Sequence, residues 1–245
     1  VKALLRRGAA LAMAVSCHGA FVAAVGSLMV ALGTGLQCGR LRLQDGAAVL
    51  ADLALVVQFP LLHSFLLSRR GAALLRRLSP FGHGRVLAPS TYVCIASLQL
   101  LAAVWLWSPS GVVWHRPAGG TGVLQWTAFA AAWLVLLKAL WDAGLGLQTG
   151  AVGWWALWRD RPVDYGGMPT RGLFACVRQP IYLGFALVLL AAPAWSPDWL
   201  LLTVAWVGYC VAGPRFKEQR WARLYGARFD AYRATVPYLL PRFHR

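Results

Sequence analysis

Arg178, Gln179, Tyr182 and Glu218 are the residues of this 245-residue chain whose types and spacing could do chemistry. Arg178-Gln179-Pro180-Ile181-Tyr182-Leu183-Gly184 opens a tight apolar hairpin, and the basic segment after it carries Glu218, the sole glutamate. A guanidinium pairs with a carboxylate through a two-pronged fork. Aromatic faces and a carboxylate attract a cation. Such a set suits a small ligand that carries both a carboxylate and an onium charge. Each residue also has a plainer reading: Arg178 as a charged anchor at a helix start, Tyr182 as part of an interfacial aromatic belt, Glu218 as a surface partner of Arg215 or Arg220. Their fixed order around a short hairpin favours the ligand reading.

The elements that must position them belong in lipid. Hydrophobic residues make up 59% of the chain and charged residues 13%, with 13 tryptophans, and the mean hydropathy is +0.56. A soluble domain of this length needs far more polar surface. Crossing a hydrocarbon core of about 30 Å takes about 20 helical residues. Apolar stretches of that order lie at roughly 9–36, 47–67, 89–107, 123–147 and 198–213. A shorter sixth, near 180–193, is expected to gain turns from 172–179, with Pro180 kinking the helix. The expected fold is thus all-α and polytopic, with five long spans and one short hairpin helix, and a cytoplasmic amphipathic helix at the C-terminal end.

Charge gives the orientation. Lys2, Arg6 and Arg7 precede the first span, and the connections at 68–88, 148–179 and 214–245 carry most other positive residues, 20 of the 24 in all. Only Arg40, Arg42 and Arg116 fall on the opposite side, with Lys138 inside the fourth span. Cytoplasmic loops collect Lys and Arg, so both termini are expected in the cytoplasm. The net charge of +16 is dispersed over alternate loops and not gathered in an aromatic-laced stripe, which argues against nucleic acid and for anionic lipid headgroups. The apolar run after Arg7 outlasts a signal-peptide core and reads as an uncleaved helix.

Cys17, Cys38, Cys94, Cys176 and Cys210 show no paired spacing, so neither a disulfide framework nor a metal site is expected. His63 is the histidine worth weighing, at the cytoplasmic end of the second span. With no long linker or repeat, residues 1–245 are expected to form one domain: four spans over 1–147, then a loop, hairpin and C-terminal segment over 148–245.

Within that last part, Trp154, Trp155, Trp158, Arg159 and Arg161 suggest a short interfacial helix ended by Pro162. The Ala192–Trp199 turn leaves almost nothing outside the membrane, so its two spans are antiparallel neighbours. Ser196 or Asp198 is expected to cap the second, with Pro197 in its first turn. After Gly213-Pro214, Phe216, Trp221, Leu224, Tyr225, Phe229 and Tyr232 recur at helical spacing between arginines, which predicts one amphipathic helix. Folded back on the membrane surface, that helix would close a pocket over Arg178, Gln179, Tyr182 and Glu218. S-adenosylmethionine fits its chemistry, having a sulfonium and an amino-acid end, and methyl transfer from it needs mainly in-line placement of donor and acceptor.

From His63 to Pro241 the chain resembles the integral-membrane methyltransferases related to isoprenylcysteine carboxyl methyltransferase and phospholipid methyltransferase, most closely the bacterial methanethiol S-methyltransferases. His63-Ser64, Ser90-Thr91-Tyr92-Val93, Trp107-Ser108-Pro109, Val113-Trp114, Arg178 to Gly184, Ala192-Pro193, Glu218 to Gly226, Tyr232, Val236-Pro237 and Leu240-Pro241 carry the likeness. It implies S-adenosyl-L-methionine at the cytoplasmic face, held by Arg178, Gln179, Tyr182, Leu183, Gly184 and Glu218. It also implies a small thiol or lipophilic acceptor arriving through membrane lipids, with Arg178, Glu218 and His63 serving the reaction. Gln179 stands where the family has a histidine, Lys217 replaces the first of two glutamates, Gln219 replaces an arginine, and Ala88-Pro89 replaces Glu-Arg.

Two functional classes follow. One is a divergent S-methyltransferase. The other is a noncatalytic membrane sensor or assembly protein that keeps the fold, which the Gln179 and Lys217 departures favour. A transport pathway has little support, since Asp52, Lys138 and Asp142 make no ladder through the spans.

Overall fold

Hydrophobic residues, leucine and alanine above all, dominate the chain, and in lipid only a helix satisfies the backbone of such a segment internally. The computed structural model describes residues 1–241, which leaves Arg242 and Arg245 of the charge pattern outside the described residues. Twelve helices follow one another among those residues: α1 (Lys2–Gly33), α2 (Asp45–Leu66), α3 (Arg69–Leu78), α4 (Gly84–Trp105), α5 (Gly119–Asp142), α6 (Leu145–Gln148), α7 (Ala151–Arg159), α8 (Leu173–Cys176), α9 (Pro180–Leu190), α10 (Pro197–Ala212), α11 (Pro214–Tyr225) and α12 (Ala227–Thr235). The only β feature among them is an isolated antiparallel bridge between His115 and Trp195.

Five helical runs are long and apolar enough to cross a membrane: α1, α2, α4, α5 and the nearly continuous α10–α11 run, Pro197–Tyr225. Helix α9 is apolar but has only 11 residues. Side chains such as Leu50, Leu124 and Leu134 stand largely exposed, as lipid-facing residues do. The protein is therefore a polytopic all-α membrane protein. Helix α1 starts well before the apolar stretch at 9–36, because Lys2 to Arg7 are good helix formers and nothing there breaks the turn.

The chain divides into two compact units. The first comprises Val1–Ala31, Cys38–Ser108 and Gly144–Gly166. Here α4 packs against α7, α3 and α2. Ser90 Oγ donates to Gly150 O at 2.6 Å and accepts from Trp154 N at 3.0 Å, which fixes the start of α7 on α4. Gly150 has a φ of +77°, and a Cβ there would lie 2.9 Å from Cys17 Sγ and 3.1 Å from Val93 Cβ, so both its backbone and its packing demand glycine. Trp154, Trp155 and Trp158 do lie on a short helix, α7, as the sequence predicts.

The second unit comprises Leu32–Gln37, Pro109–Ala143 and Gly167–Arg245. Its centre is the packing of α5 on α9, where Gly184 allows close approach: a Cβ at that position would sit 2.9 Å from Leu136 Cα. Ser196 caps α10 by accepting from Trp199 N at 2.9 Å, with Pro197 in the first turn. Asp198 serves otherwise, accepting from Ser110 Oγ at 2.5 Å and Gln37 Nε2 at 2.8 Å.

Two expectations need correction. Residues 172–179 do not extend α9; α8 is a separate turn, Val177 is extended, and Pro180 begins α9. Proline lacks the amide that an interior position needs and disfavours a helical residue before it, so it starts this helix and does not kink it. The C-terminal segment is two helices, not one, because Gly226 takes a φ of +52° between α11 and α12.

Candidate functional site

Inside the second unit, three stretches of sequence converge at the start of α9. Gln179, just before Pro180, is fully buried, and Arg178 is nearly so. Arg178 N donates to Pro237 O at 2.9 Å, which ties this turn to the segment after α12. Helix α11 follows α10 through Gly213 and Pro214, both buried, and brings Lys217 and Glu218 to the same place. Helix α12 is pinned by Tyr232, whose Oη donates to Phe174 O at 2.6 Å, and by a cluster of Met168, Phe229 and Tyr232 with Trp221, Tyr225 and Val236 against it.

The polar core of the site is a chain of four side chains. Glu218 Oε1 accepts from Arg178 Nε at 2.9 Å and from Gln179 Nε2 at 2.8 Å, and Glu218 Oε2 lies 3.5 Å from Arg178 Nη2. Only 11% of the Arg178 side chain and 14% of the Glu218 side chain are exposed, so this is a largely desolvated ion pair. The surface pairing of Glu218 with Arg215 or Arg220, the plain reading of the sequence, is not what forms. Arg178 Nη1 donates to Arg233 O at 3.0 Å and Val236 O at 2.6 Å. Its guanidinium is thus spent on the protein, clamping α9, α11 and the end of α12 together.

On the other side of Gln179, Lys217 Nζ donates to Gln179 Oε1 at 3.0 Å. An ammonium can only donate and a carboxylate can only accept, so the two neighbours fix which way the amide points. Gln179 thus bridges Lys217 and Glu218, accepting from one and donating to the other, with no charge of its own.

Aromatic faces surround the ammonium. Lys217 Nζ lies 4.3 Å from the Trp221 ring centre, 5.4 Å from Phe174 and 5.9 Å from Tyr182. Tyr182 in turn meets Tyr209 edge-on at 6.3 Å. Such a box holds onium charge through the negative faces of the rings, with the Glu218 carboxylate one amide away. The rings are thus suited to onium charge, and the cation they hold in this structure is the Lys217 ammonium. Lys217, Phe174 and Trp221 were not singled out for this role by the sequence; aromatic spacing around position 217 was the available signal, and it reads equally well as one face of an amphipathic helix.

The other expected site residues fall as follows. Leu183 N closes the first turn of α9 on Gln179 O at 3.0 Å, and Gly184 packs on α5. His63 belongs to the first unit, where its ring stacks on Phe59 at 5.2 Å and its nitrogens face Tyr92 Oη, the nearer at 2.7 Å.

Comparison with known proteins places the chain. It is 30% identical over 203 residues to a methanethiol S-methyltransferase of Mycobacterium tuberculosis, spanning 82% of this chain and 81% of that protein. Methanethiol S-methyltransferase 2 of Bradyrhizobium diazoefficiens is 29% identical over 205 residues, or 80% and 74% of the two chains. The methanethiol S-methyltransferase of Crocosphaera subtropica is 25% identical over 195 residues, or 79% and 75%. No family model matches, and no solved structure matches significantly. With the likeness running through most of both proteins, this multi-pass membrane protein belongs to the methanethiol S-methyltransferase family.

Proposed function

We propose that the protein is an S-adenosylmethionine-dependent S-methyltransferase of the bacterial inner membrane, with both termini in the cytoplasm, acting on a small thiol. The observation that carries this reading is the box of Phe174, Tyr182 and Trp221 beside the Arg178–Glu218–Gln179 cluster. The relatives' name, methanethiol S-methyltransferase, suggests the acceptor class.

In this reading the aromatic box receives the sulfonium and Glu218 faces the donor's amino group, while Gln179 orients Glu218. Arg178 holds the site's three segments in place and pairs with Glu218. Leu183 and Gly184 set the first turn of α9 so that Tyr182 points into the box. When bound, S-adenosylmethionine supplies an electrophilic methyl group. The thiol acts as thiolate, forming a new sulfur–carbon bond as the donor's bond to that carbon breaks. The surplus positive charge of Arg178 and Lys217 over Glu218 favours the thiolate. An acceptor of this kind dissolves in lipid and needs no aqueous channel.

The test is calorimetric titration of the detergent-purified protein with S-adenosylmethionine, followed by headspace detection of dimethyl sulfide on addition of methanethiol. Binding with turnover supports the enzyme. Binding without turnover on any thiol supports the noncatalytic sensor, a reading favoured by the lysine in the onium box. A well-folded protein that binds no donor overturns the proposal.

A further inference from the structure

The feature of this site that its chemistry does not call for is the ammonium already standing in the cage. Lys217 Nζ is ringed by Trp221, Phe174 and Tyr182 and hydrogen-bonded to Gln179. Ammonium and sulfonium are attracted to the same electron-rich faces for the same electrostatic reason. The nearby carboxylate is partly committed, because Glu218 Oε1 already receives both Arg178 Nε and Gln179 Nε2, and only Oε2, 3.5 Å from Arg178 Nη2, is left for a ligand. Among Arg178, Lys217 and Glu218 the charge is positive by one.

We propose that Lys217 is a specificity-determining residue, the resident cation of the Phe174–Tyr182–Trp221 cage, and that it weights binding away from the sulfonium donor and toward the neutral thioether left after methyl transfer. The inference rests on the donor reading above. A sulfonium enters only if the lysine stem swings the ammonium out, or else it meets a like charge in a desolvated space. A neutral thioether meets no such repulsion. Four rotatable carbons give Lys217 the freedom to leave, and its departure would free Gln179 Oε1 to accept from the donor's amino group. The lysine would then be a built-in competitor whose grip sets donor affinity.

The experiment compares S-adenosylmethionine with S-adenosylhomocysteine, which differ here by one methyl group and one charge. Both are titrated calorimetrically into the parent protein, Lys217→Met, Lys217→Gln and Lys217→Arg, each checked for a single sharp melting transition. Methionine keeps the apolar stem without the charge, glutamine is a second neutral variant should methionine misfold, and arginine keeps the charge. The expected result is a gain of about tenfold in affinity for the sulfonium in either neutral variant. The thioether should change by less than about twofold, and Lys217→Arg should keep the parent's ratio. If both ligands bind and their ratio is the same in all four proteins, the proposal for Lys217 is overturned while the donor site stands. If neither ligand binds any folded protein, the donor reading falls and this inference falls with it.

Discussion

Arg178 and Glu218, 40 residues apart in sequence, are joined by two guanidinium contacts to one carboxylate, the shorter being Nε to Oε1 at 2.9 Å. Both side chains are largely shielded from water, so removing one leaves the other as an uncompensated charge. Glu218→Ala is expected to destabilise the protein by about 3 kcal/mol and to lower its melting temperature in detergent clearly below the parent's. Arg178→Lys keeps the charge but not the fork or the bonds to Arg233 O and Val236 O, and should lie between the two. An unchanged melting temperature in Glu218→Ala would sink the buried-pair account.

Gln179 and Lys217 are expected to be energetically coupled. Gln179→His alone puts an imidazole against an ammonium, and Lys217→Glu alone sets a second carboxylate beside Glu218. Together they restore the family's pairing of a histidine with two glutamates. A double-mutant cycle on thermal stability should show a favourable coupling of about 1–2 kcal/mol. Strict additivity would mean the two side chains are not energetically coupled.

Much of the fold was legible because hydropathy and charge act over whole segments: five long spans need only apolar length. The breaks were harder. Pro180 is compatible with a kink or a start, and it becomes a start because Val177 and Gln179 leave the helical region before it. Gly226 offered the same ambiguity inside an otherwise continuous helical pattern. At the site, residue type and order single out Arg178, Gln179 and Glu218, but their direct contact depends on how α11 leaves α10. The resident lysine was hidden for a related reason: a cationic residue between arginines on a basic helix looks like every other surface charge.

Gly184→Leu is expected to disrupt the α5–α9 interface. Even a single Cβ would come within 2.9 Å of Leu136 Cα, and three further carbons have no space. Overpacking of this kind costs about 1–3 kcal/mol or more. The measurement is the yield of monodisperse protein together with its melting temperature, and a parent-like result would show that α9 can retreat from α5 freely.

Tyr232 donates to Phe174 O at 2.6 Å, and burial, reinforced by Glu218 and opposed by Arg178, pushes its phenol up from 10.0 to about 12. Between those pH values the unfolded chain gives up the proton while the folded protein retains it, so stability falls as pH rises. Tyr232→Phe should cost about 1 kcal/mol near neutrality and should show a shallower alkaline decline in melting temperature. Parallel pH profiles for the two proteins would contradict this role.

The brevity of α9 has a consequence for the surrounding lipid. Its 11 residues rise about 16 Å, roughly half of a hydrocarbon layer of about 30 Å. With Arg178 at one headgroup plane and the Ala192–Ser196 turn at the other, the bilayer beside α9 would have to thin to a dimple. Acyl-chain length then becomes a control parameter for the protein. Thin bilayers already match this dimple, whereas thick, sterol-like ones resist it.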